Sequence, residues 1–230
     1  MKLQADKALQ CIDLGLIAYQ PALTLQENLH RCRKDERIGD TALFLEHTHV
    51  YTLGRRGDNS DILLNEAQIA ARGIEIFQSN RGGQVTYHGP GQLVVYLIVN
   101  LYNAQRELRL FVETLEQSLI SWLKNFGIQA GIDPAHPGVW VGEQKIAALG
   151  ITVKEKVTMH GLALNITTDL SLFAGIIPCG IKDRGVTSLA QLIETPPSMA
   201  SVKEGIANEL ARNFGYAGFR WVALPSNCSD

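Results

Sequence analysis

Two side chains in this sequence have the chemical type and the setting for nucleophilic chemistry. Cys179 stands between a proline and a glycine, in a turn that leaves room around the sulfur and offers backbone N–H groups that could hold an oxyanion. A thiol is a weak nucleophile until a base or cation activates it. Lys145 opens the otherwise apolar stretch 146–151, and if it turns inward, desolvation lowers its pKa and lets it take a proton. On spacing alone, a core thiol and a solvated lysine at a strand end are the commoner alternatives.

A glycine-rich segment is the other unusual feature. Residues 81–92, RGGQVTYHGPGQ, carry four glycines and a proline between two apolar strands. A hairpin needs about two to five loop residues, so a longer ordered loop is often functional. The segment matches neither phosphate-binding pattern, GxxxxGK[ST] or GxGxxG. A ligand-binding loop and an ordinary surface loop with a histidine both remain open.

Composition excludes several classes of protein. The 21 basic and 23 acidic side chains give a net charge of −2, which argues against a dedicated nucleic-acid binder. The longest apolar run, 93–99, is far too short to span a membrane. The four cysteines form no CxxC pair and no HExxH motif occurs, so we predict no metal site. Cys11 and Cys32 fit core positions, and scattered thiols without a secretion signal indicate a cytoplasmic protein.

Strand-like and helix-like patterns alternate along one predicted domain, 1–230, with a flexible tail at 225–230. An antiparallel meander over 138–166 would carry Lys145, and a buried strand over 93–101 follows the glycine-rich segment. The fold class is therefore predicted as α+β (mixed α/β), a mixed, mainly antiparallel sheet with packed helices. Further strands are predicted at 9–14, 41–53, 74–77 and 219–224, and helices at 24–37, 65–73, 107–125 and 198–213.

Five short segments, in order, resemble the signatures of the lipoyl(octanoyl) transferases. They are 46–54 (EHTHVYTLG), 81–92, 138–146 (GVWVGEQKI), 160–165 (HGLALN) and 178–180 (PCG). The resemblance extends over roughly residues 11–215. It implies a fold shared with the catalytic domains of biotin and lipoate protein ligases.

The resemblance also implies a mechanism and a set of site residues. An octanoyl group would pass from octanoyl-acyl carrier protein to Cys179 as a thioester, with Lys145 as base, and then to a lysine of a lipoyl domain. The acceptors would be the 2-oxoacid dehydrogenase E2 subunits and the glycine cleavage H protein, and no ATP, metal or other cofactor would be required. The implied acyl-binding residues, to which we add His160, are Arg81, Gly82, Gly83, Gln84, Val85, Thr86, Tyr87, His88, Ala148, Leu149, Gly150, His160, Gly161, Leu162 and Ala163.

Three rival functions stay open. An ATP-dependent lipoate or biotin ligase would share the fold, a non-catalytic lipoyl-domain binding module would need no nucleophile, and a cysteine hydrolase would release free acid.

Both protein partners are expected to be acidic, so a local rim of basic residues would speed their encounter with this chain. The candidates, most of which we interpret as ordinary solvated charges, are Arg55, Arg56, Arg106, Arg109, Lys182 and Arg184.

Overall fold

Two β-sheets and their covering helices make up the part of the chain that the computed structural model describes, residues 7–101, 104–177 and 184–228. In chain order the strands are β1 (Leu9–Ile17), β2 (Thr41–His47), β3 (Val50–Leu53), β4 (Glu75–Gln78), β5 (Val85–His88), β6 (Gln92–Ile98), β7 (Gly131–Ile132), β8 (Val139–Val141), β9 (Gln144–Lys154), β10 (Val157–Asn165), β11 (Gly185–Val186) and β12 (Phe219–Trp221). The α-helices are α1 (Tyr19–Lys34), α2 (Glu66–Ala71), α3 (Ala104–Lys124), α4 (Leu189–Leu192) and α5 (Met199–Phe214).

The larger sheet has the strand order β12-β1-β2-β6-β10-β9-β8-β7, with β11 added to β9. β1 runs parallel to both of its neighbours and β11 runs parallel to β9, while the remaining pairs are antiparallel. β6 and β10 lie at its centre and are buried along their whole length. The mixed, mainly antiparallel sheet with packed helices predicted from the sequence is confirmed.

The helices cover the two faces of this sheet because each presents one apolar stripe. On one face α3 and α5 pack together, with Phe111 of α3 against Phe214 of α5. On the other face α1 covers β6 and β10. The ends of α5 follow from its sequence: Ser198 accepts a hydrogen bond from the Ser201 N–H, and Gly215 adopts the left-handed conformation (φ 75°) that ends the helix.

The smaller sheet corrects the prediction of one long loop at 81–92. Its order is β4-β3-β5, and β5 lies inside the glycine-rich segment. β5 pairs antiparallel with β3, from Val50 opposite His88 to Leu53 opposite Val85. The β-branched and aromatic residues between the glycines favour a strand, which the density of glycines concealed.

The C-terminal segment is tied to α1. Cys228 is buried and forms a disulfide with Cys32, 196 positions earlier in the chain. Ser226–Cys228 forms a turn of 3₁₀ helix within the segment 225–230, whose flexibility stays a prediction, and residues 229 and 230 lie outside the described part. Cys32 is buried as predicted, but as half of a disulfide and not as a free thiol. The sequence could not show this pairing because α1 and the C-terminus meet only through the tertiary fold.

The long helix α3 has a strongly amphipathic sequence. Within the described ranges, no helix is both long enough and apolar enough to cross a bilayer.

Candidate active site

A shallow floor of small residues crosses the larger sheet. Ala148 of β9 lies opposite Ala163 of β10, and two residues further along Gly150 lies opposite Gly161. Directly opposed residues share one face of a sheet, so these four positions form a strip almost without side chains. Gly161 has no room for a side chain at all, because a Cβ there would lie 2.0 Å from the Val95 carbonyl oxygen.

The start of the glycine-rich segment forms a roof over this floor. Gly82 donates a backbone hydrogen bond to the Ile151 carbonyl, and a Cβ on Gly150 would lie 3.1 Å from the Gly82 carbonyl oxygen. Arg81 is buried, and its guanidinium donates to the hydroxyl and the carbonyl oxygen of Thr52 on β3. The smaller sheet is thereby fixed against the larger one, with a cavity between them.

The cavity between floor and roof measures ≈ 540 Å³ including its open mouth. Lys145 and eleven of the fifteen acyl-binding candidates line it: Arg81, Gly83, Thr86, His88, Ala148, Leu149, Gly150, His160, Gly161, Leu162 and Ala163. The other four do not. Gly82 and Gln84 line an adjoining cavity of ≈ 1020 Å³, likewise including open space, which also reaches Lys145. Val85 and Tyr87 are buried in the core of the smaller sheet.

Four lining residues were not predicted from the sequence: Tyr19, Val94, Tyr96 and Pro137. Val94 and Tyr96 continue the rows of the floor, since they lie opposite Ala163 and Gly161 on β6. Pairing the meander with the buried strand at 93–101 would have placed them beside the small residues. Pro137 directly precedes the 138–146 segment that carries Lys145, whereas Tyr19 comes from a distant segment that no sequence signal connects with the site.

A cluster of neutral histidines and tyrosines closes the cavity on the side of β6. The Tyr96 hydroxyl and His47 Nε2 are 2.7 Å apart; His47 Nδ1 donates to the Ile17 carbonyl, so Nε2 is the acceptor. Burial lowers the pKa of His47 to about 4. Burial, followed by the charges of Arg81 and Arg55, lowers the pKa of His160 to about 4 as well. The wall therefore carries neutral imidazoles at physiological pH.

His160 reaches this wall through a strained backbone. Its φ is 61°, a left-handed conformation inside a strand that costs of order 1–3 kcal/mol for a residue other than glycine. The side chain of Gln26 accepts a hydrogen bond from the His160 N–H, and His160 Nε2 donates to Asn80 Oδ1 at 2.6 Å. Its neighbours thus hold the imidazole in the cavity and not in the core.

Lys145 lies at the other end of the floor, where β9 begins. Its Nζ donates to the Pro137 carbonyl oxygen at 3.0 Å and lies 4.8 Å from the centre of the Trp140 ring. The side chain is half-buried, so the amine lies at the boundary between the cavity and solvent. The strand-end lysine of the sequence therefore does turn toward the predicted acyl site.

Residues 136–138 form a strap beside the amine, held by side chains from three elements. Besides the bond from Lys145 to Pro137, Trp140 Nε1 donates to the His136 carbonyl at 3.0 Å. The Gly138 N–H donates at 2.9 Å to Glu116 Oε1 on α3. Burial raises the pKa of Glu116, which is 3% exposed, and the Gly138 hydrogen bond opposes that rise.

Cys179 lies outside the described residues, as do Pro178, Gly180 and Lys182. The nearest described strand after it is β11, where Gly185 pairs with Gln144 and Val186 with Lys145. The Thr187 N–H also donates to the Lys145 carbonyl at 3.0 Å. The chain seven positions beyond the predicted nucleophile, at Val186, thus runs directly beside the predicted base.

The predicted basic rim is mostly engaged in local contacts. Arg109 pairs with Glu113, and Arg184 pairs with Asp133 and Glu143. Arg55 is within hydrogen-bonding distance of the Thr152 hydroxyl, and Arg56 lines the adjoining cavity. The side chain of Arg106 lies outside the described part.

Comparisons with known proteins match most of the chain. Residues 18–211 match the lipoyl protein ligase A/B catalytic domain. An octanoyltransferase from Caldicellulosiruptor bescii is 46% identical over 204 residues, which cover 88% of this chain and 90% of that relative.

Two solved structures share the fold at low sequence identity. A lipoate-protein ligase A bound with ATP is 15% identical and has a TM-score of 0.79, with 97% of this chain and 91% of that chain covered. A biotin protein ligase from Aquifex aeolicus, also 15% identical, has a TM-score of 0.50, with 90% and 68% covered. The fold expected from the sequence segments is confirmed by these likenesses.

Proposed function

The chain belongs to the octanoyltransferases of the lipoyl protein ligase A/B catalytic-domain family, and we propose that it works through a Cys179 acyl-enzyme with Lys145 as its base. Octanoyltransferases act in protein lipoylation, with an acyl donor and a lipoyl-domain acceptor. The observation that supports the role of Lys145 most directly is its place in the same cavity as the small-residue floor. A site of this kind suits an unbranched acyl chain, since only the methyl groups of Ala148 and Ala163 protrude from the four small-residue positions.

The first half-reaction forms the acyl-enzyme. Lys145 takes the thiol proton of Cys179, and the thiolate attacks the carbonyl carbon of the octanoyl thioester. The bond from that carbon to the carrier's phosphopantetheine sulfur breaks, and the departing thiolate takes the proton from Lys145. One thioester replaces another, so this step is close to balanced and consumes no nucleotide.

The second half-reaction forms the amide. A neutral lysine amine of the acceptor attacks the acyl-enzyme carbonyl, and the bond to the Cys179 sulfur breaks. The proton of the attacking amine passes through Lys145 to the Cys179 thiolate, which restores both groups. Conversion of a thioester to an amide is downhill, so we propose that neither ATP nor a metal takes part.

The acyl chain would lie along the floor, with its carbonyl near Lys145 and its methyl end toward the histidine and tyrosine wall. Burial of each methylene contributes about 0.8 kcal/mol, which is enough to hold and select an eight-carbon chain. We propose octanoyl-acyl carrier protein as the donor. The proposed acceptors are the lipoyl domains of 2-oxoacid dehydrogenase E2 subunits and the glycine cleavage H protein.

Mass spectrometry of the intact protein tests this proposal. The purified chain is incubated with octanoyl-acyl carrier protein without ATP, and we expect the mass of one octanoyl group on Cys179. Cys179→Ala should carry no adduct, and Lys145→Ala should form it slowly. Lys154→Ala, at the far end of the same strand, is the matched control and should behave as the unaltered protein does.

Each rival function predicts a different result. A ligase would require ATP and free octanoate, and a binding module would behave identically with and without Cys179. A hydrolase would release octanoic acid where an acceptor lysine should be modified. An adduct mapped to any other cysteine would contradict the assignment of the nucleophile.

A further inference from the structure

We infer that Glu116 is a positioning residue for Lys145, acting through the strap of residues 136–138; this inference rests on the proposed role of Lys145 as base. Glu116 lies on α3, on the face that packs toward the sheet, and it is 3% exposed. A buried carboxylate on a packed helix is costly unless it satisfies a specific partner. Its partner here is the backbone N–H of Gly138, 2.9 Å from Oε1.

The strap connects Glu116 to the amine in two ways. The peptide unit whose N–H bonds to Glu116 is the one whose carbonyl belongs to Pro137, and that carbonyl accepts from Lys145 Nζ at 3.0 Å. The carboxylate and the amine therefore hold opposite ends of one rigid peptide plane. A shift of this plane moves the acceptor that fixes the amine.

Gly138 makes the second connection by packing. Its φ is 138°, and a Cβ there would lie 2.6 Å from the Ala147 carbonyl oxygen. The same Cβ would lie 3.1 Å and 3.2 Å from Cε and Cδ of Lys145, so the aliphatic stem lies directly against the strap. The strap thus constrains both the stem and the head of the side chain.

The third tie, from Trp140 Nε1 to the His136 carbonyl, holds the other end of the strap but not the Pro137–Gly138 peptide. The N–H of the Pro137–Gly138 peptide bonds to the Glu116 side chain, and its C=O accepts from Lys145. Glu116 is not among the residues that line the acyl cavity. Its loss should therefore slow proton transfer without weakening binding of the acyl chain.

The test separates the length of the side chain at position 116 from its charge. Glu116→Gln keeps a carbonyl oxygen that can accept from Gly138, whereas Glu116→Asp keeps the charge on a side chain one carbon too short. Single-turnover formation of the Cys179 adduct is measured at several donor concentrations. We expect about a tenfold lower maximal rate for Glu116→Asp and Glu116→Ala, because a hydrogen bond to a charged group is lost. The Gln variant should stay within about threefold, and the half-saturating donor concentration should be unchanged.

A matched control separates positioning from stability. Glu209 is a buried carboxylate on α5 that bonds Arg212 and Asn213, away from the site. Glu209→Ala should lower the thermal midpoint and leave the acylation rate intact. If Glu116→Ala fails to fold, the Asp and Gln variants still decide the question.

Several outcomes would overturn the inference. A fast Asp variant with a slow Gln variant would mean that charge, not the hydrogen bond, matters. Equal rates for Glu116→Ala and the unaltered protein would remove the role altogether. If the unaltered protein forms no adduct, the proposed function itself is wrong. This result differs from a failure of the Glu116 inference, because no variant would then form an adduct either.

Discussion

Mild acid should destabilise this protein well before its carboxylates titrate. His47 and His160 are buried beside the cavity, and each has a pKa of about 4 in the folded chain against 6.5 when unfolded. Between those values the unfolded chain binds more protons than the folded chain. The free energy of unfolding therefore falls as the pH drops below about 6.5, and the loss levels off near pH 4.

The size of this effect follows from the two pKa differences. At pH 5.5 each histidine lowers the free energy of unfolding by about 1.4 kcal/mol relative to neutral pH, or roughly 3 kcal/mol for the pair. Burial lowers the pKa of His88 in the same direction. This loss is a large fraction of the 5–15 kcal/mol that typically stabilises a folded protein.

Urea denaturation at pH 7.5 and pH 5.5 measures the effect. We expect the urea concentration at the midpoint to fall at the lower pH, while the slope of the free energy of unfolding against urea concentration stays unchanged. His160→Asn, which suits the left-handed backbone at that position, should remove about half of the pH dependence contributed by the pair. Equal stability at the two pH values, or imidazole signals of His47 and His160 that titrate near pH 6.5 in the folded protein, would refute the reasoning.

Three further outcomes are expected. Cys228→Ser should lower the free energy of unfolding by up to about 5 kcal/mol under oxidising conditions, because the bond to Cys32 closes a loop of 196 positions; free thiols at Cys32 and Cys228 in the native mass spectrum would contradict this. Ala148→Leu should take up the space that about two methylenes of the acyl chain occupy in the cavity. In an acyl-transfer assay, the ratio of kcat/KM for the octanoyl donor to kcat/KM for the hexanoyl donor should therefore fall about 15-fold. Gly161→Ala should lose about 3 kcal/mol of stability in thermal unfolding, since its Cβ meets the Val95 carbonyl.

Local chemistry explains which elements could be predicted from the sequence. Ser198 and Gly215 mark the ends of α5, and the continuous apolar run of β6 required a central strand. Both signals lie within a few residues of the element they define. The meander at 138–166 was equally local, because its turns separate strands that pair with their immediate neighbours.

The features that could not be predicted depend on distant partners. β5 becomes a strand by pairing with β3, and Cys32 meets Cys228 only after α1 and the C-terminus have packed together. The left-handed backbone of His160 depends on Gln26, which is 134 positions away. Glu116 did leave a signal: it directly follows Leu115 on the buried side of α3, where an acidic residue needs a partner.

The small-residue floor limits how substitutions can change the acyl site of this enzyme. At Ala148, Gly150, Gly161 and Ala163 the surface offered to a ligand is largely main chain, which every sequence presents in the same form. Nearly every substitution at these four positions adds side-chain atoms, so it reduces the space available to the acyl chain. Accommodation of a longer or bulkier chain would have to come from the roof or from the histidine and tyrosine wall. The strand backbone therefore limits the size of the acyl group from below, and the site can be widened only on the opposite side.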